Sequence, residues 1–108
     1  MISIELYRSH NGNVKGFRVE GHAGMAEKGW DTVCAGVSVL AQTAVLGLHR
    51  YLGLQPKVSR HDGYLSCMLT DQEIEEHTVQ AVLETMVIGL KEIAGQFPEY
   101  VSVEEHRR

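Results

Sequence analysis

The segment from Thr32 to Leu52 constrains the fold of this chain more than any other stretch. Its apolar residues recur every three or four positions, which is the spacing of one face of an α-helix. They are Val33, Val37, Leu40, Ala44, Leu48 and Leu52. A helix with such a face has to bury it against another layer of structure. Apolar residues also lie outside this face, so we expect a partner subunit to cover part of the helix.

The residues before this helix place a cysteine near its start. Asp31 favours the N-cap position, which would make Cys34 the third helical residue. Unpaired backbone N–H groups and the helix dipole favour negative charge there and lower the pKa of a thiol. We therefore predict a reactive thiolate at Cys34. Asp31 has a second interpretation, as the third member of a catalytic triad, but its spacing favours the cap.

A glycine-rich segment, Gly21 to Trp30, precedes the helix and lacks a sustained period, which predicts a loop. Its glycines are Gly21, Gly24 and Gly29. Their backbone freedom suits a lid over a substrate and equally an ordinary connector. His22 lies among small residues, where it could reach the thiol of Cys34 as a base or simply bond to the backbone. We assign no role to the remaining histidines, which are His10, His49, His61, His77 and His106.

Three polar side chains share one side of the predicted helix. Cys34, Ser38 and Gln42 recur at i, i+4 and i+8, which places a hydroxyl and an amide behind the thiol. Ser38 could support the thiol, or its hydroxyl could bond to the carbonyl of Cys34, as serine in a helix commonly does. Cys34 could also be a packing residue, because cysteine is among the most buried residue types.

These residues resemble the signature of a known family. Gly21-His22-Ala23, Asp31, Val33-Cys34-Ala35-Gly36 and Ser38 are similar to the motif of the bacterial ribosomal-processing cysteine protease family, called Prp. The resemblance implies an endopeptidase that removes a short N-terminal extension from a large-subunit ribosomal protein, the twenty-seventh of its series. It implies a Cys34–His22 dyad that needs no metal or organic cofactor.

Three other classes of function compete with proteolysis. One is a non-catalytic, ribosome-associated binding or assembly module in which the thiol is only structural. Another is a thiol redox sensor, although the chain has no C-x-x-C motif. A zinc site is the weakest, because no Cys or His residues recur at the spacing of a ligand pair.

The first half of the chain also predicts a strand pair. Met1 to Arg8 alternates apolar and polar residues, and Val14 to Glu20 does the same. Asn11-Gly12 between them is a strong signal for a hairpin turn.

After Gly53, which ends the helix, Gln55–Arg60 and Gly63–Thr70 predict a second hairpin. Cys67 shares a face with apolar neighbours in the latter strand and is expected in the core.

The C-terminal third predicts a second helix and a last strand. Thr70-Asp71-Gln72-Glu73 matches a capping box, and Gly95 and Pro98 mark the end of the helix. Tyr100–Val103 predicts a short strand, and Glu104–Arg108 a solvated tail. The order β-β-α-β-β-α-β predicts an α+β fold with two helices packed on a mixed or antiparallel sheet.

Composition bounds the remaining possibilities. With 108 residues and 12.0 kDa, the chain fits a single domain over residues 1–108, and so small a domain gains from a homodimer contact. A net charge of −4 argues against direct binding to nucleic acid or anionic membrane. Ser38, Gln42 and Thr43 interrupt the most apolar run, so we expect no membrane span. Two cysteines and no signal region predict a cytoplasmic protein.

Overall fold

The computed structural model describes the backbone of residues 1–21 and 28–108 and the side chains of residues 1–21 and 32–108. The main elements are β1 (Ile2–Arg8), β2 (Val14–Glu20), α1 (Lys28–Leu46), β3 (Lys57–His61), β4 (Tyr64–Met68), α2 (His77–Gln96) and β5 (Val101–Arg107). A π-helical turn, Gly47–Tyr51, extends α1, and a 3₁₀ turn, Glu73–Glu75, precedes α2. The predicted order of elements and the α+β class are confirmed.

The five strands form one mixed sheet in the order β3-β4-β2-β1-β5. Strand β1 pairs with β2 in antiparallel and with β5 in parallel orientation, while β4 is antiparallel to both of its neighbours. The alternation predicted for β1 and β2 places Ile4, Leu6 and Phe17 on the same buried face. That face of the sheet is therefore the floor of the hydrophobic core.

Both helices pack on this face of the sheet. The predicted apolar face of α1 is buried through Val33, Val37 and Leu48. The two helices lie side by side, since a Cβ added at Gly89 of α2 would lie 3.0 Å from the side chain of Leu40 in α1. The core is thus a single layer between two helices and a sheet. The side of α1 away from α2 borders the cavity described below.

The start of α1 differs from the prediction. The helix begins at Lys28, so Asp31 lies inside it and is not the N-cap. Acidic residues stabilise any position of the first turn through the helix dipole, so an aspartate marks the neighbourhood of a helix start without fixing the cap. Gly29 and Trp30 also lie inside this helix, so the predicted loop from Gly21 to Trp30 is too long. His22 and Gly24 lie outside the described residues.

The capping box forms but does not start the long helix. The N–H of Thr70 donates to Glu73 Oε1 at 2.8 Å, and the N–H of Glu73 donates to Thr70 Oγ1 at 3.2 Å. These bonds begin the 3₁₀ turn, and α2 follows only from His77. The sequence signal was therefore correct about a helical start and wrong about which helix it starts.

The predicted solvated tail is instead part of β5. Strand β5 pairs with β1 along its whole length, from Ile2↔Val101 to Arg8↔Arg107. Glu105 of β5 has a charged partner, since Arg8 Nε donates to it at 2.7 Å, and Arg8 also contacts Glu84 of α2 at 2.9 Å. Arg8, with a smaller contribution from Lys91, lowers the pKa of Glu105. Ion pairs supplied by other elements therefore allow a charged sequence to form a strand.

Among the described residues, one helical segment meets the length and composition of a membrane span, contrary to the sequence expectation. It is Thr32–Tyr51, with 20 residues. The core helix of a globular domain can satisfy the same criterion, and here Val37, Ala41 and Leu48 of this segment pack into the hydrophobic core. Its apolar character is therefore accounted for, on that face, by contact with the sheet and α2.

Candidate active site

A cavity of about 530 Å³ lies between α1 and the hairpin formed by β3 and β4. Its helical wall carries the predicted polar row, Cys34, Ser38 and Gln42. The rest of its lining is apolar and includes Val37 and Ala41 of α1 and Ile2, Val19 and Leu65 of the sheet. The opposite wall consists of Arg60, His61, Asp62, Gly63 and Tyr64. A cavity of this size can hold several atoms of a peptide chain beside the thiol.

Cys34 borders this cavity because of its position on α1. Val33 and Val37 point into the core and are almost fully buried, whereas Cys34 is only partly buried. Residues four apart on a helix are neighbours, so Ser38 lies next to Cys34 along the cavity wall. Gln42 continues the row, and its Nε2 donates to Ser38 Oγ at 2.7 Å. The structure thus brings a thiol, a hydroxyl and an amide to one surface.

The helix start at Lys28 changes the electrostatic argument for Cys34. The thiol lies in the second helical turn, and the effect of the helix dipole falls off within the first turn. Cys34 also lies beyond the first four residues, whose N–H groups lack a helical acceptor. The prediction that Cys34 is the third helical residue is therefore wrong. A thiolate at this position depends mainly on neighbouring side chains.

The hairpin wall was not predicted from the sequence. The rings of His61 and Tyr64 stack with their centroids 4.5 Å apart and their planes at 4°, and both residues line the cavity at the end of the hairpin. Gly63 makes the tight turn possible with a φ of 70°. The sequence assigned no role to His61, and it offers no local signal for one. Only the position of the hairpin across the cavity from α1 makes these residues part of the site.

Gly21 connects the end of β2 to the cavity. Its N–H donates to the carbonyl of Gly63 at 2.9 Å. A Cβ at this position would lie 2.7 Å from the carbonyl oxygen of Met1 and 2.9 Å from Cα of Ile2, so a side chain would displace the start of β1. The glycine predicted for loop freedom is thus required by close backbone contact. His22 follows it directly in the sequence.

Comparison with known proteins decides the family. The family model described as "Cysteine protease Prp" matches residues 1–102. The chain belongs to this family. It is 29% identical to the ribosomal processing cysteine protease Prp of Bacillus subtilis over 107 residues, an alignment that covers 95% of this chain and 96% of the relative. The predicted enzyme class, a cysteine protease, is confirmed by this membership.

Solved structures of Prp and its relatives have the same fold. The Staphylococcus aureus ribosomal processing protease Prp, solved in complex with a substrate peptide, has a TM-score of 0.87 and 25% identity, covering 98% of this chain and 100% of that one. A protein of Streptococcus mutans has a TM-score of 0.87 and 28% identity, covering 100% and 96%. The fold expected from the resemblance is therefore confirmed over nearly the whole chain.

The second cysteine of this Prp-family chain is a core residue, as predicted. Cys67 lies on β4 and is fully buried. Burial raises the pKa of its thiol to about 12, with a smaller contribution from the carboxylate of Glu73. The thiolate is the nucleophilic form of cysteine, so Cys67 is unreactive near neutral pH.

One group of potential metal ligands occurs among the described residues of this Prp-family chain. The ligand atoms of Glu5, Glu104 and His106 lie within 4.8 Å of one another. His106 Nε2 lies 2.6 Å from Glu5 Oε1, and the imidazole stacks on Tyr7. The group lies on the solvent face of the sheet, which the cavity does not border. A hydrogen bond between His106 and Glu5 across the β1–β5 ladder explains their contact.

Proposed function

We propose that this chain is an endopeptidase that removes the N-terminal extension of a large-subunit ribosomal protein, the twenty-seventh of its series, with Cys34 as nucleophile and His22 as base. The observation that carries the proposal is the opening of Cys34 into a cavity of about 530 Å³ in a chain that matches the Prp family over residues 1–102. The name of the B. subtilis relative and the substrate peptide of the S. aureus structure support the choice of substrate. A ribosomal substrate would place the reaction in the cytoplasm.

The reaction requires an anionic sulfur. His22 takes the proton from the Cys34 thiol, and the thiolate attacks the scissile carbonyl to form a tetrahedral intermediate. The protonated His22 gives its proton to the leaving amine, which departs as the carbon–nitrogen bond breaks and leaves a thioester. Water then attacks the thioester, with His22 accepting a proton, and the thiol is regenerated.

The oxyanion of the tetrahedral intermediate needs donors near the thiol. In a helix that begins at Lys28, the N–H groups without a helical acceptor belong to the first turn, Lys28 to Asp31. We propose these groups as the donors. Loss of one such donor typically slows an enzyme by about 10²–10³-fold.

The experiment is an incubation of the purified protein with the host's own ribosomal protein, followed by intact-mass spectrometry. We expect a single cleavage near the N-terminus, and no cleavage with Cys34→Ser. Cys67→Ala is the matched control, because it removes the thiol that does not border the cavity. Cleavage by Cys34→Ser at the wild-type rate would exclude the nucleophile assignment, and a stable complex without cleavage would favour a binding module.

We also propose that the chain forms a homodimer through the outer surface of its helices. Val39 and Ile88 are 63% and 69% exposed on α1 and α2, and Tyr51 after α1 is 86% exposed. Large apolar side chains exposed on one layer favour association with a second copy. Light scattering after size exclusion tests this. A dimeric mass that becomes monomeric in Val39→Glu is expected, and a monomeric wild type at micromolar concentration would refute it.

A further inference from the structure

Gln42 continues the polar row of the cavity beyond Ser38. It lies on the same side of α1 as Cys34 and lines the same cavity. Its amide Nε2 donates to Ser38 Oγ at 2.7 Å, and Ser38 lies one helical turn from Cys34. The amide therefore contacts the thiol only through the hydroxyl of Ser38. A role for Gln42 has to be sought in what it does to that hydroxyl.

The direction of this hydrogen bond determines where the hydroxyl hydrogen of Ser38 can go. A serine hydroxyl has one hydrogen to donate and two lone pairs to accept with. Because Gln42 donates, it occupies a lone pair of Ser38 and leaves the hydrogen available. The acceptors one turn earlier are the backbone carbonyl and the sulfur of Cys34. Thr85 of α2 shows the first outcome, since its hydroxyl donates to the carbonyl of Ala81 at 2.7 Å.

We propose that Gln42 is a positioning residue that holds the Ser38 hydroxyl with its hydrogen directed at Cys34 Sγ, so that Ser38 stabilises the thiolate. A hydrogen bond to the charged form of a group favours that form, and bonds to charged acceptors are stronger than neutral ones. The bond from Gln42 polarises the hydroxyl and strengthens its donation. This inference rests on the proposed role of Cys34 as nucleophile and adds a second source of thiolate stabilisation to His22.

Other groups that titrate or carry charge line the same cavity. Among the described residues that line the cavity, they are Arg60, His61, Asp62 and Tyr64 on the hairpin wall. None of them contacts Gln42 or Ser38 through a hydrogen bond found in the described structure. The substitutions on α1 compared below leave these four side chains unchanged.

The test measures the rate at which iodoacetamide alkylates Cys34 as a function of pH, in the full chain without substrate. Gln42→Leu removes the donor, and Gln42→Glu replaces it with an acceptor that would draw the Ser38 hydrogen away from the thiol. Thr43→Glu is the matched control for charge, because Thr43 is exposed next to Gln42 but does not line the cavity. Circular dichroism and thermal unfolding verify that each variant is folded.

We expect Gln42→Leu to slow alkylation at pH 7 by about two- to fivefold and to shift the profile to higher pH, as for the loss of one side-chain hydrogen bond. Gln42→Glu should slow it further, and Thr43→Glu should stay near the wild type. In a Ser38→Ala background, Gln42→Leu should have no additional effect, because the amide acts only through the hydroxyl.

Two results would overturn the inference. One is an equal effect of Gln42→Leu with and without Ser38, which would mean that the amide acts on the thiol by another route. The other is a wild-type alkylation profile in a folded Gln42→Leu variant, which would mean that the Ser38 hydrogen goes to the backbone carbonyl, as for Thr85. Neither result involves cleavage, so the proposed function is tested separately by Cys34→Ser.

Discussion

The two cysteines of this chain lie in opposite surroundings. Cys34 lies on α1, is partly buried and borders a cavity together with two polar side chains. Cys67 lies on β4 between β2 and β3, is 0% exposed and pairs across the ladders with Phe17 and Val58. Burial raises the pKa of Cys67 to about 12. The comparison shows that the reactivity of a thiol follows from its position in the fold, not from its residue type.

The difference begins with secondary structure. A strand in the middle of a covered sheet turns every second side chain into the core, and Cys67 is one of these. A helix buries one stripe and leaves its flanks at the rim of the packed layer, which is where Cys34 lies. The helix can therefore present a nucleophile beside the core without opening the core to water.

Alkylation of the native protein should separate the two cysteines most clearly. A thiol with a pKa of about 12 is thiolate in only about 10⁻⁴ of molecules at pH 8, so we expect Cys67 to react slower than Cys34 by about 10³-fold or more. Peptide mass spectrometry after labelling with iodoacetamide measures both sites. Equal rates in the folded protein would remove the contrast, and equal rates in denaturant serve as the control.

Substitution of His22 should reduce the reactivity of one cysteine only. For His22→Ala we expect cleavage to fall by at least about 10²-fold, as for the loss of a general base. The alkylation profile of Cys34 should also move to higher pH, while Cys67 is unaffected. His61→Ala is the matched control, because His61 lines the same cavity from the hairpin. An unchanged profile in His22→Ala would separate this histidine from the thiol.

For the stability of the fold, we expect Cys67 to matter more than Cys34. Cys67→Ala leaves a void in the core, and we expect it to lower the free energy of unfolding by about 1–3 kcal/mol with little effect on cleavage. Cys34→Ala should change stability by less than about 0.5 kcal/mol, because the side chain lies at the rim. Urea denaturation measures both variants. A larger loss for Cys34→Ala would mean that this thiol is mainly a packing residue.

The raised pKa of Cys67 should also make the stability of the protein depend on pH, which is the smallest of the effects predicted here. Its pKa is higher in the folded state than in the unfolded chain, where a thiol ionises near 8.5, so stability is complete below that pH and declines as pH rises towards 12. At pH 9.5 the loss in the free energy of unfolding amounts to about 1 kcal/mol. The decline between pH 8 and 9.5 should be less steep in Cys67→Ala than in the wild type. Parallel curves would contradict the raised pKa.

The sequence by itself determined the elements and their buried faces. The stripe of α1, the alternation of β1 and β2, and the burial of Cys67 all followed from side-chain spacing, because a helix and a strand have fixed periods. The residues from Gly21 to Ser38 indicated the family, which the comparisons confirmed. Each of these properties is encoded within a short segment, so no knowledge of distant contacts was needed.

Only the tertiary structure decided what lies opposite the thiol and where the segments end. The hairpin wall with His61 and Tyr64, the close contact of Gly21 with Ile2, and the extension of β5 through Glu105 all depend on residues far apart in the chain. Spacing records which face of an element is buried, but it does not record which partner covers that face. The cavity beside Cys34 lies between α1 and the β3–β4 hairpin at the edge of the sheet, and no single segment contains that information.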